Sequence, residues 1–336
     1  MEEVYAQAWG QLHKLADDWD ASIRGIYDIQ VVFYLMQLCD KWAEEKAGTY
    51  DFYNAGYYFS KINKQSSEKL FSALRDMDFE RARGKYPVHV KELAAYLAMN
   101  VEKVRRSYEM DWSETYNLMW SNLLYEKSLV ADELTRLRLI ASDEEKEDEA
   151  RGTAVLALAH FDIMAGDDET AWERVMTRFE TVEASDWFGY MQTFVQVQQW
   201  DRLVNWLRWL QHHMEMYNAY DMNHYFYFWT TASMHLAIEE EHKHALAALL
   251  PGSYRQYSRF LMDRMEYKAW ADLCLLLNLS PLDIDSEELK RVEKEDVRML
   301  LPIYHYAVEV YILGKNRDSY KQAVKLLKNW RMPIKN

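Results

Sequence analysis

Ala154-Val-Leu-Ala-Leu-Ala-His-Phe-Asp-Ile-Met-Ala-Gly166-Asp-Asp-Glu-Thr-Ala-Trp-Glu-Arg-Val-Met-Thr-Arg-Phe179 holds one complete unit of this chain's architecture. The run up to Gly166 is apolar, rich in alanine and long enough for a helix. Gly166-Asp167-Asp168 reads as a turn, since glycine ends helices and aspartate starts them. Residues 169–179 then predict a second helix, which makes the whole stretch a helical hairpin. The end of the chain repeats this order: a helix over 303–313, a turn at Gly314-Lys-Asn-Arg-Asp318, and a helix over 319–330. Between them, Gln198-Gln199-Trp200 and Glu266-Tyr-Lys-Ala-Trp270 occupy similar turn-then-helix positions. The turns near 166, 198, 266 and 314 are spaced by 32, 68 and 48 residues. The first spacing is near the 34 of a tetratricopeptide repeat, the second is twice it, and the third is neither. The pattern is a degenerate array of hairpins.

Composition agrees. The chain has 336 residues, 49% of them hydrophobic and 28% charged, so it can bury a core. It has 10 Gly and 5 Pro, too few for the many tight turns of a sheet protein. The expected fold class is all-α: stacked antiparallel helical hairpins, resembling a tetratricopeptide or α-solenoid array, behind an irregular N-terminal helical bundle. Residues 1–140 are expected to form the N-terminal region and 141–336 the array, or both together one continuous domain.

The Trp200 segment supports stacking. Trp200, Leu203, Leu207, Leu210, Met214 and Tyr217 form one apolar stripe, and Trp206, Trp209, His213 and Met216 form a second. A helix that is apolar on two faces is covered from two sides. The 13 Trp and 24 Tyr read as core knobs against small residues such as Ala157 and Ala159.

Toward the N-terminus, Tyr5, Ala8, Trp9, Leu12 and Leu15 keep helical spacing. Ile26, Ile29, Val32, Phe33, Met36 and Cys39 do so again. An aromatic stretch follows from Tyr50 to Phe59. Lys64-Gln-Ser-Ser67 reads as a loop and helix start, and residues 81–87 as a connection ending in Pro87. Residues 112–139 read as one long helix. Ser142 with Glu145 matches a capping box, so the acidic run after it reads as a solvated helix start.

Several chemistries are excluded. The closest glycines, Gly48 and Gly56, are eight positions apart, which rules out a Walker A loop, a dinucleotide fingerprint and a nucleophile elbow. The formal net charge of −14 disfavours general binding to nucleic acid or anionic lipid. Cys39 and Cys274 read as buried free thiols in a reducing compartment. Met1-Glu2-Glu3 is unlike a basic signal-peptide start, and no apolar run reaches the ~20 residues of a membrane span. The expected setting is the cytoplasm, with no membrane partner.

A metal-dependent hydrolase would centre on residues 235–244, where Glu239 precedes His242 and Glu241 precedes His244 by three residues each. Di-iron bundles need such a pair on two helices, and no second Glu-x-x-His occurs elsewhere. No metal ligands, catalytic residues or cofactors are therefore assigned. His212-His213 with Glu215 is a weaker grouping.

Charge is unevenly distributed. Residues 315–336 carry Lys315, Arg317, Lys321, Lys325, Lys328, Arg331 and Lys335 against Asp318 alone, a local balance of +6. Arg317, Lys321, Lys325 and Lys328 share one face of the expected last helix, with Val324, Leu327 and Trp330 on another. Lys315, Arg317, Lys321, Lys325, Lys328 and Arg331 are the candidate binding strip for phosphates or an acidic partner.

The C-terminal half resembles the bacterial SWIM zinc-finger proteins of Bacillus-type organisms. The resemblance rests on Leu261-Met-Asp-Arg-Met-Glu-Tyr-Lys-Ala-Trp270, Ser280-Pro-Leu-Asp-Ile284 and Leu300-Leu-Pro-Ile-Tyr-His-Tyr-Ala-Val-Glu309. Its most distinctive part is Lys315-Asn-Arg-Asp-Ser-Tyr-Lys-Gln-Ala-Val-Lys-Leu-Leu-Lys328. Weaker similarity covers residues 114–137 and 153–176. The resemblance implies that this chain corresponds to the family's helical region alone. The family's Cys-x-Cys and Cys-x-His zinc ligands, thought to serve nucleic-acid or protein binding, have no counterpart in these residues. Family members tend to continue in a further basic helix, whereas Pro333 should stop a helix here.

The function these residues suggest is a non-enzymatic protein–protein interaction scaffold. One alternative is an accessory nucleic-acid binder, working through the basic last helix or through an N-terminal zinc module outside this chain. The other is the metal-dependent hydrolase above.

Overall fold

The computed structural model describes residues 2–46, 55–101, 110–215 and 219–330. Among these the chain is all-α, with a single two-residue pair of strands. It divides into two compact units, residues 1–180 and 181–336.

The first unit holds α1 (Glu2–Leu12), α2 (Ala21–Lys46), α3 (Ala55–Arg75), α4 (Phe79–Lys85), α5 (Pro87–Val101), α6 (Trp112–Trp120), α7 (Lys127–Ser142), α8 (Asp148–Ala165) and α9 (Asp168–Arg178). Its core is organised by α2, which packs against α1, α3, α4 and α5. Ile26, Ile29, Val32, Phe33, Met36 and Cys39 are all buried on it, as their spacing predicts. Asp40, also buried on α2, accepts the Trp112 indole N–H at 2.6 Å and the Met110 backbone N–H at 2.8 Å. That carboxylate ties the entry of α6 to the central helix. The expected boundary at 140/141 falls within the last turn of α7, which packs along α8 inside this unit.

Five expectations for this unit need correction. Residues 64–67 are the interior of α3, not a loop. Ser66 is buried there because its hydroxyl bonds Tyr5 Oη at 2.6 Å, and Gln65 donates to Glu2. Residues 81–87 are not a plain connection either. Asp78 caps α4, Tyr86 breaks it, and Pro87 opens α5, where a missing N–H costs nothing. The long helix over 112–139 is two helices. Glu126 accepts from the Ser128 and Leu129 N–H groups and so starts α7, while Leu123 and Leu124 stay buried in the turn. Finally, Ser142 ends α7, and its hydroxyl donates back to Arg138 O; α8 starts only after Glu147. Leu15 lies in a 3-10 turn past α1 and is exposed.

The second unit holds α10 (Phe188–Gln196), α11 (Trp200–His213), α12 (Ala219–Ser233), α13 (Glu239–Ala248), α14 (Tyr254–Asp263), α15 (Tyr267–Leu276), α16 (Ser286–Asp296), α17 (Leu301–Leu313) and α18 (Arg317–Trp330). β1 (Val182–Glu183) runs parallel to β2 (Met214–Glu215). Met214 is therefore a strand residue, and the stripe on α11 stops at Leu210. Met216 and Tyr217 lie outside the described residues, as do residues 50–54 of the N-terminal aromatic stretch. Both faces of α11 are covered: Leu203, Leu207 and Leu210 on one, Trp206 and Trp209 on the other. Trp206 stacks on Trp187 at 5.3 Å between ring centroids.

One turn geometry recurs through the chain. Gly166, Gln198, Met265 and Asn278 each sit at positive φ just past a helix. After each, the next N–H reaches the carbonyl five residues back: Asp167 to Asp162, Gln199 to Phe194, Glu266 to Leu261, and Leu279 to Cys274. This is the Schellman ending, which satisfies otherwise orphaned carbonyls and reverses the chain tightly. Lys315, at φ 49°, occupies the corresponding position between α17 and α18. The hairpins α8–α9, α10–α11, α14–α15 and α17–α18 follow from these turns.

Candidate functional site

The α17–α18 hairpin carries the candidate strip. Pro302 stands at the start of α17, where its ring fits the first turn. At the turn, Gly314 leaves room for the Ser319 side chain, since a Cβ there would lie 2.7 Å from its hydroxyl. Asn316 then starts α18, its side-chain oxygen accepting the Asp318 and Ser319 N–H groups at 3.1 and 2.9 Å.

Helical spacing sorts the α18 side chains into neighbouring rows. Ala323 and Leu326 are buried. Beside them, Tyr320, Val324 and Leu327 form an exposed apolar row. Beyond that row lie Arg317, Lys321, Lys325 and Lys328, all exposed, spread along about 17 Å of helix. Lys321 Nζ donates to Asp318 at 2.8 Å. Lys315 belongs to the turn and not to the helical face, although it lines the same open depression as Tyr320, Val324 and the cations. Arg331 lies outside the described residues.

The partner helix adds apolar surface. Val310, Ile312 and Leu313 of α17, with the α18 row, are 39–65% exposed. A second shallow depression runs between the helices, lined by Tyr304, Val308, Ile312, Leu326 and Leu327, with His305 and Glu309 at its edge. Sequence reasoning found the cations and grouped Val324 and Leu327 on one face, but did not read the exposed α17 residues beside them. The mostly apolar run Leu301-Pro-Ile-Tyr-His-Tyr-Ala-Val-Glu-Val-Tyr-Ile-Leu313 reads as a core helix, yet its fully buried side chains are Ile303 and Ala307.

The histidine-rich segment is arranged differently from a metal centre. His242 is buried against Phe226, Trp229 and Phe260. Burial, with the nearby Arg264 charge, pulls its pKa from 6.5 down to about 4. Glu241 is held by a two-pronged Arg208 contact at 2.5 and 2.8 Å, which lowers its pKa. Glu239 pairs with Arg264. His235 stacks on Trp200 at 3.9 Å, and Glu215 accepts from Thr181. Among the described residues no group of three His, Cys, Asp or Glu is placed to hold a metal ion. Both cysteines are buried free thiols, and burial pushes each pKa up to about 12. No helix among the described residues is long and apolar enough to cross a membrane.

Comparison with known proteins leaves the family open. No protein-family model matches the chain, and no solved structure matches it. A stretch of 85 residues, 25% of the chain, is 35% identical to the uncharacterized protein YwqB of Bacillus subtilis (strain 168). The similarity spans 16% of YwqB's length.

Proposed function

We propose that this chain is a non-enzymatic, cytoplasmic protein-interaction scaffold that works through the outer face of the α17–α18 hairpin. The observation that carries the reading is the exposed set Ile312, Leu313, Tyr320, Val324 and Leu327. Contiguous apolar exposure of this kind marks interaction sites on folded proteins. The recurring Schellman hairpins support treating the array as a degenerate tetratricopeptide-like stack, a class that uses extended surfaces for binding. Two free buried thiols fit a reducing compartment. Membership in the SWIM zinc-finger family remains part of this proposal and rests on the motifs of the C-terminal half.

Affinity capture from host lysate tests the reading, with the wild-type chain compared with Val324→Asp/Leu327→Asp and a nuclease-treated sample run in parallel. A defined protein held by the wild type in both samples and lost by the variant is expected. The same proteins on both baits would refute it.

The exposed cationic row favours a second reading, nucleic-acid binding through α18. Lys321→Glu/Lys325→Glu/Lys328→Glu would then abolish a gel shift made by the wild type. Absence of any shift at low salt would end this reading.

A further inference from the structure

The apolar row on α18 is bounded on one side by its buried residues and on the other by Arg317, Lys321, Lys325 and Lys328. Tyr320, Val324 and Leu327 stand at i, i+4 and i+7, the spacing by which one helix face meets another. Leu327 of this row, with Leu326, lines the depression between the two helices, across which α17 contributes Tyr304, Val308 and Ile312. Its composition is that of a helix covered on two sides, yet Ile312 and Leu313 are open on this side. The surface is thus apolar in the middle and strongly cationic along its α18 edge. We propose, building on the interaction reading above, that this face receives an amphipathic helix of another protein whose α18-facing edge carries Asp or Glu at i, i+4 and i+7.

Charge and shape select this occupant over the others. Nucleic acid would satisfy the cations but leave Ile312, Leu313 and Leu327 in water. A second copy docked face to face would bring two cationic rows to one interface, where Glu309 and Asp318 are the only carboxylates either hairpin offers. The acidic helix α16 of a second copy has no apolar row to offer, because its valine, Val292, is already buried. An anionic lipid surface would meet a chain of net charge −14 and a depression between two helices, not a ridge. An acidic amphipathic helix fills the depression with its apolar side and neutralises the row with its edge.

The test uses the full chain and two labelled peptides, each a helix with one leucine face. One carries Glu along an edge, and the other carries Lys at the same positions. Fluorescence anisotropy is expected to show binding of the Glu peptide only. Val324→Asp/Leu327→Asp should weaken it more than about tenfold, as loss of central apolar anchors does. Lys321→Glu/Lys325→Glu/Lys328→Glu should weaken it about tenfold and admit the Lys peptide, since each rim pair is worth a few-fold. All substituted residues are exposed, so unchanged melting curves will certify the fold. Equal binding of both peptides, or no binding of the Glu peptide at about 1 mM, overturns the proposal. So does tight binding of phosphatidylserine vesicles or a DNA duplex that survives Val324→Asp/Leu327→Asp. If that apolar variant abolishes protein capture while the charge reversal leaves peptide preference unchanged, the acidic edge is wrong and the interaction reading stands. If the apolar variant changes neither capture nor peptide binding, both fall.

Discussion

Two buried histidines make the stability of this protein fall as the pH drops below 6.5. His160, in the first unit, is buried on α8 with Nε2 at 3.3 Å from Ser121 Oγ. Burial lowers its pKa from 6.5 to about 4, against a smaller opposing hydrogen bond from the ring to the Asn117 backbone. His242, in the second unit, is lowered to about 4 by burial among rings and then by Arg264. Below pH 6.5 the unfolded chain therefore binds a proton at each site that the folded chain refuses. Protons favour the unfolded state, so stability falls as pH falls. Each histidine contributes in full above pH 6.5 and gives up about 1.4 kcal/mol per pH unit below it, down to pH 4. Between pH 6.5 and 5 the loss is about 2 kcal/mol in each unit. Urea unfolding followed by circular dichroism at pH 7, 6, 5.5 and 5 measures it. His160→Gln should flatten the slope of the first unit, and His242→Gln that of the second. A wild-type midpoint constant from pH 7 to 5, or variants with the wild-type slope, would refute the reasoning.

Asp40→Ala should cost about 2–4 kcal/mol, since it strands the Trp112 indole and the Met110 N–H inside the core; a loss under about 0.5 kcal/mol in urea unfolding would contradict the clamp. Met265→Gly should stabilise by about 0.5 kcal/mol, because the side chain is 71% exposed and the backbone sits at φ 58°. A lower unfolding midpoint for that variant would show that the turn is not strained.

Where a residue announces its backbone, the sequence was readable. Gly166 and Gly314 mark their turns, and Asn278 followed by Pro281 could have marked another that was missed. Gln198 and Met265 adopt the same left-handed geometry without any chemical sign of it. Their turns were visible only as gaps between apolar runs. The helix break at Ser121 was invisible because Leu123 and Leu124 continue the apolar rhythm through the turn, buried by tertiary packing. Ser66 looked like loop chemistry because its partner, Tyr5, is 61 residues away. At the candidate site, i+4 spacing exposed the cationic row directly. Val324 and Leu327 were placed on one face, but periodicity says which side chains share a face, not whether another helix lies over it. A mostly apolar helix such as α17 reads as buried until its neighbours are known.

The most direct test of the docking face is in-cell photocrosslinking from position 324, with the exposed Leu139 of α7 as the control site. The account predicts that a photoreactive residue at 324 traps one defined protein through a helical segment with an acidic edge, and that position 139 does not. Equal background from both positions, or a crosslink from 324 to nucleic acid alone, would contradict it.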